Sequence, residues 1–253
     1  MNAIDELTRA GARSQAYSFL ALAFEAPDDS RPGALRQGWD PLAGGLALLA
    51  DPSCQGTAAE LRPAIAALGA DALERAYTRC FGHAMSKDCP PYEAEYGQAH
   101  VFQKAHTLAD VAGFYRAFGL DLAADAHERI DHISVELEFM HFLCAKEAYA
   151  LAHDHTAEQL ALCRAAQRKF LCEHVGRWAF GFARRMGARA GDTVYGVLGK
   201  LLAAFLAAEL NRLGLRPDEV AGPDVVAEGA PATGGEAEST PACEACHGLE
   251  GAT

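Results

Sequence analysis

Three short runs in this 253-residue chain have residue types in spacings that chemistry uses. Cys243-Glu-Ala-Cys246-His247 is a C-x-x-C-H, the pattern of covalent haem attachment, and it also offers two thiolates and an imidazole, most of a tetrahedral metal set. Glu138-x-x-His141 has the spacing of a half-site in the carboxylate-bridged di-iron bundles. Gly196-Val-Leu-Gly-Lys200 superficially suggests a phosphate loop.

Each is incomplete. Haem needs an enclosing apolar pocket, and the surroundings of Cys243 are Gly, Pro, Ala and Glu. A di-iron site needs a second Glu-x-x-His, and the other instance, Glu244-x-x-His247, falls in the same polar tail. Gly196 to Lys200 is too short for a phosphate loop and is followed by Leu201 rather than Ser or Thr. His83, His100, Cys80 and Cys89 surround a Pro-rich stretch in no standard zinc spacing. No catalytic residue is assigned and no cofactor is expected on the chain itself. The alternative is a helical metal- or haem-binding redox protein, with Cys243, Cys246 and His247 as the metal candidates, shared with another chain or used transiently.

The other concentration of polar groups among apolar ones is Glu128 to Met140, ERIDHISVELEFM. Asp125 followed by Glu128 has capping-box spacing, and a helix from about 126 to 153 would sort its residues into stripes. Ile130, Ile133, Leu137, Met140 and Cys144 make a core stripe; Asp131, Val135, Glu138 and Phe142 share a second face; His132, Glu136, Phe139 and Leu143 share a third. On this projection Asp131 pairs with Glu138 as the outward-facing acids. His132 and Glu136 form an i, i+4 pair, either an ordinary helix-surface contact or a lock against neighbouring helices.

The elements that must hold these residues are helices. Strand-like alternation is missing, and helical spacing runs through about 4–25, 33–50, 57–81, 98–118, 126–153, 156–186 and 190–213, with turns expected at Gly44-Gly45, Pro52, Gly119, Gly187 and Gly191. The predicted fold is an all-α, single-domain bundle over residues 1–215, with front helices 4–81, a connecting loop 82–97 containing Pro90-Pro91, and rear helices 98–213. Residues 216–253 carry eight acids against Arg216 alone, so most of the formal charge of −12 lies there, and a disordered acidic tail is expected.

No basic face suited to nucleic acid is apparent. The run from Ala16 to Phe24 has amphipathic spacing and acids before it, Asp5 and Glu6, unlike a signal peptide, and no apolar run is expected to span a bilayer. Eight scattered cysteines fit reduced thiols, so a cytoplasmic location is expected.

Asp131-His132-Ile133 followed by Glu136-Leu-Glu-Phe-Met140 resembles the signature of the TorD/DmsD/NarJ family of chaperones that mature molybdenum-containing redox enzymes. Ala16 to Pro27, AYSFLALAFEAP, is similar to the family's opening helix. Pro91-Tyr92-Glu93-Ala94-Glu95-Tyr96 resembles its "PYES.Y" loop, Ala112 to Leu120 its helix leading into an "FGL" turn, and Phe170 to Trp178, through His174, its "FL..H...W" helix. The likeness covers most of residues 10–213. Where many members have proline before the Asp-His pair this chain has Ile130, so the helix is expected to start early and take in Asp131.

The resemblance implies a TorD-like bundle that binds the catalytic subunit of a molybdoenzyme, often through its twin-arginine signal peptide, until molybdopterin guanine dinucleotide is inserted into that client. Phe118, Phe139 and Phe142 would wall an apolar groove, and Tyr92, Glu93, Asp131 and Glu136 would receive arginines. Tyr96, His132 and Glu138 complete the expected client contacts, and the chain would be a monomer or a helix-exchanged dimer. Replacing Asp131 by alanine would weaken client binding without unfolding the chain.

Overall fold

The computed structural model describes residues 3–82, 86–97, 101–123 and 126–222. Among them the fold is helical: α1 Ala3–Phe24, α2 Arg31–Leu49, α3 Pro52–Ala66, α4 Ala70–Phe81, α5 Val101–Ala117, α6 Ile133–Ala152, α7 Ala157–Phe170, α8 Gly176–Ala190, α9 Val194–Arg212 and the single turn α10 Pro217–Val220. A 3-10 turn, Glu93–Glu95, lies between α4 and α5, and a π turn, Leu171–Val175, joins α7 to α8.

Helix α1 lies along α6 and α2, while α9 packs on α8 and α3. Tyr17, Leu20 and Phe24, spaced for one helix face, are all buried. Helix α9 is apolar and long enough to cross a bilayer, which the sequence reading had not singled out, but most of it is inside the core, where Leu198, Leu202, Phe205 and Leu206 are inaccessible.

The layers are also tied by a buried polar knot. The Arg13 guanidinium of α1 donates to Glu209 of α9 from Nε at 2.7 Å, to Glu147 of α6 at 3.0 Å and to Gln167 of α7 at 2.7 Å. Tyr17 donates to Glu209 at 3.1 Å, and Arg164 to Glu147 at 2.6 Å. Burial alone would raise the pKa of both carboxylates, but at Glu209 the Arg13 guanidinium, and at Glu147 the Gln167 amide with Arg164 and Arg13, win and hold them below the usual range.

Several boundaries differ from the sequence reading for identifiable reasons. The run read as one helix from 57 to 81 starts at Pro52, capped by Asp51 through the Cys54 amide, and breaks between Ala66 and Ala70. Arg36 donates to the Leu68 carbonyl exposed by that break, at 2.6 Å. Gly44-Gly45, expected to turn, lies inside α2, where Gly45 admits α1: a Cβ there would sit 3.2 Å from the Ala12 carbonyl oxygen. Gly187 lies inside α8.

Helix α6 starts at Ile133, not near 126, and His132 is its N-cap. Asp131 therefore precedes the helix, the reverse of the expectation drawn from Ile130. Asp125, proposed to cap it, falls outside the described residues. The ordered fold also extends past residue 215: Val220 is buried and the Gly222 amide donates to the Arg177 carbonyl at 2.8 Å, so the start of the predicted disordered tail is docked. The remaining tail, with Cys243, Cys246 and His247, lies outside the described residues, as do His83 and His100. Among the described residues six cysteines, Cys54, Cys80, Cys89, Cys144, Cys163 and Cys172, are buried, and none is in a disulfide.

Candidate functional site

The segment 91–96 and the start of α6 meet through one antiparallel rung, Tyr92 against His132. The Glu93 amide donates to the Asp131 carbonyl at 3.0 Å and the Ile133 amide to the Pro91 carbonyl at 2.9 Å. This pairing is what gathers the polar residues. His132 accepts from the Ser134 amide at 3.2 Å through Nδ1, closing the N-terminus of α6. The π turn at the end of α7 brings His174 to the same region, and α8 adds Trp178 one turn later.

The result is a buried acidic cluster. Asp131 accepts the Ala94 amide at 3.0 Å and, through both oxygens, the Nε and Nη2 of Arg129 at 2.9 and 2.7 Å. Glu93 pairs with His174 Nδ1 at 3.0 Å, and Glu136 accepts from Trp178 Nε1 at 3.0 Å. Burial, and then the neighbouring Glu93, push the Glu136 carboxyl well above the usual range. Burial pushes the His132 imidazole down to about 4, leaving it neutral. Tyr92 donates to Glu128 at 2.7 Å.

These placements correct the helical projection. His132 and Glu136 do not pair through their side chains: His132 turns to Ser134, with its Nε2 3.8 Å from Glu128, and Glu136 turns to Trp178. Asp131 and Glu138 do not share an outward face either, because Asp131 is fully buried while Glu138 is exposed. Both pairings assumed a helix already running at 131. Tyr96 is spent internally, its hydroxyl donating to the Pro90 carbonyl at 3.0 Å and its ring tilted over Trp178. His141, of the Glu138-x-x-His141 pair, contacts Ser14 of α1 at 2.8 Å, and among the described residues no three potential ligands cluster for a metal.

The apolar residues do converge. An open groove of about 440 Å³ runs between residues 120–123 with Ala126 and α6, lined by Tyr115, Leu120, Leu122, Val135, Phe139 and Phe142, with Glu138 on its wall. Phe118 packs edge-on against Phe139 and Phe142 at 5.7 and 6.2 Å. Arg129, Glu95, Glu128 and Trp178 were not named as site residues. His174, Trp178 and Glu95 lie in sequence motifs and Arg129 in the run at 128–140, but the pairing of Arg129 with Glu95 and Asp131 depends on the fold of 91–96 onto the start of α6.

Residues 49–184 match the family model described as nitrate reductase delta subunit. The chain is 36% identical over 107 residues to a selenate reductase assembly chaperone protein of Thauera selenatis, covering 42% of this chain and 53% of that one. It is 33% identical over 112 residues to a chlorate reductase assembly chaperone protein of Ideonella dechloratans, 44% and 55% of the two chains. A perchlorate reductase assembly chaperone protein of Dechloromonas aromatica (strain RCB) aligns at 28% identity over 219 residues, 83% of this chain and 93% of that one. The chain thus spans about half the length of the first two relatives and nearly all of the third. With a family model covering more than half of its residues, the chain belongs to the nitrate reductase delta subunit family, the NarJ/TorD-type maturation chaperones, which are not enzymes.

Proposed function

We propose that this chain is a cytoplasmic chaperone for the catalytic subunit of a molybdenum-dependent oxidoreductase. It holds the apo-subunit through an apolar helical segment, such as that of a twin-arginine signal peptide, while molybdopterin guanine dinucleotide is inserted into the client. The observation that carries this reading is the groove against α6: aromatic walls from Phe139 and Phe142, about 440 Å³ open to solvent, and acids bordering it. An amphipathic helix buries its apolar face in such a groove, and the acidic border favours a positively charged flank.

Calorimetric titration of the chain with the precursor of a candidate reductase subunit, with and without its signal peptide, tests the reading. Binding that falls at least tenfold with Phe142→Asp, in a variant whose far-ultraviolet circular dichroism shows the helical fold retained, is the expected result. A precursor that binds wild type and F142D equally would refute the groove as the client site.

A further inference from the structure

The acidic cluster holds an internal cation in an arrangement that would suit an external one. The Arg129 guanidinium lies over the Tyr92 ring at 4.4 Å, forks onto both Asp131 oxygens and reaches Glu95 at 3.2 Å. The carboxylates belong to the interior, with Asp131 inaccessible and Glu95 buried, whereas the Arg129 side chain is 41% exposed. Arg129 enters from the non-helical stretch before α6, not from a packed helix. A planar face, a bidentate acceptor and a second carboxylate specify a guanidinium and discriminate against an ammonium.

Charge and position both favour exchange. The second oxygen of Glu95 is held by Lys104 at 2.5 Å, so Asp131 and Glu95 need one further cation, which Arg129 supplies. Removing Arg129 leaves a buried carboxylate short of its counter-ion, and one incoming guanidinium restores the balance. Beside the cradle, the buried Nε2 of His132 has no hydrogen-bond partner and faces Glu128, the carboxylate that holds the Tyr92 hydroxyl. The groove is coupled to the same loop. Ala126 lines it, and Tyr115, another lining residue, donates to the carbonyl of Ile130, between Arg129 and Asp131, at 3.2 Å.

We propose that Tyr92, Glu95 and Asp131 form a guanidinium cradle that Arg129 occupies in the client-free chain and gives up to an arginine of the client. This rests on the groove reading for the identity of the ligand, though not for the cradle itself. Arg129 acts as a resident competitor: a segment without arginine fills the groove but leaves the cradle closed, and one with arginine gains both.

Two arms test it on the full chain. In the first, the Arg129→Ala and Arg129→Gln variants are melted with N-acetyl-arginine amide or N-acetyl-lysine amide. The arginine compound should raise the melting temperature of the variants and not that of wild type, and the lysine compound should leave all three unchanged; equal responses to the two compounds, or none, overturn the cradle. In the second, a synthetic peptide of two arginines followed by a leucine-rich helical segment, and its lysine counterpart, are titrated into wild type and variants. Removing the competitor should tighten the arginine peptide about tenfold and leave the lysine peptide unchanged. Weaker or equal binding of the arginine peptide by R129A and R129Q overturns the exchange. If neither peptide binds any of the proteins, the groove reading fails, and the amide arm still decides the cradle. Should both variants fail to fold, side-chain nitrogen resonances of wild-type Arg129 decide the exchange: it stands if the arginine peptide removes their protection from solvent and falls if they stay protected.

Discussion

Replacing His132 by asparagine should change how stability depends on pH while leaving the N-cap in place. His132 is fully buried, its Nδ1 accepts from the Ser134 amide, and its Nε2 has no hydrogen-bond partner. Burial lowers its pKa to about 4, helped by Arg129 and opposed by Glu128 and Asp131. An unfolded histidine titrates near 6.5. Because the folded value is the lower one, the unfolded chain takes the proton first. The contribution of neutral His132 is therefore fully present above about pH 6.5 and is lost as pH falls towards 4. The gap of roughly 2.5 units corresponds to about 3 kcal/mol. Glu136 works in the opposite sense, since its raised pKa gives stability below about pH 4.3 that is lost on the way up. Glu136 is common to both proteins, so the difference between them isolates the histidine. Asparagine is a good N-cap and carries no charge. Urea unfolding of wild type and H132N at steps from pH 7 to 4 should show the variant gaining on wild type by about 3 kcal/mol across that range. A difference that stays constant with pH would show that His132 is not held neutral, and would refute the reasoning.

Four further outcomes are expected. Arg13→Met leaves Glu147 and Glu209 short of their shared cation and should cost about 3–5 kcal/mol, read by denaturant unfolding. Asp131→Ala, expected from sequence to leave the fold intact, should instead destabilise by about 1–3 kcal/mol, because it strips the buried Ala94 amide of its acceptor and Arg129 of its fork; equal melting temperatures for D131A and wild type would contradict this. Gly196→Ala should lower the melting temperature by several degrees, since its Cβ would lie 1.9 Å from the Gly191 carbonyl oxygen, and overpacking of this kind costs about 1–3 kcal/mol. Glu138→Lys, at an exposed wall of the groove, should leave stability within about 0.5 kcal/mol and weaken a positively charged client peptide in calorimetry.

The helical class and the core face of α1 were legible because Tyr17, Leu20 and Phe24 repeat with helical period and nothing interrupts them. The residues gathered around α6 were legible as types, not as geometry. Tyr92, Glu93, Asp131, His132 and Glu136 do come together, yet their partners depend on the rung between 91–93 and 131–133, which no periodicity records. Extending the helix back to 126 put Asp131 on the wrong side of a cap and gave it Glu138 as a companion. Arg129 escaped notice because an arginine two residues from an aspartate looks like surface charge until burial of the acid makes the fork matter. The break between α3 and α4 was hidden by the apolar spacing on either side of it.

The rung between Tyr92 and His132 also fixes a chain circuit of about forty residues that contains α5. Closing such a circuit costs about 3 kcal/mol in loop entropy, more than its two backbone bonds return at about 1 kcal/mol each. The deficit is met by side chains, at the joint by the Asp131 fork and the ring of Tyr92, and along α5 by the buried Val111 and Tyr115. Helix α5 is therefore held by fewer core residues than α1, α6 and α9. Native-state hydrogen exchange should find the amides of α5 opening ahead of those of α9.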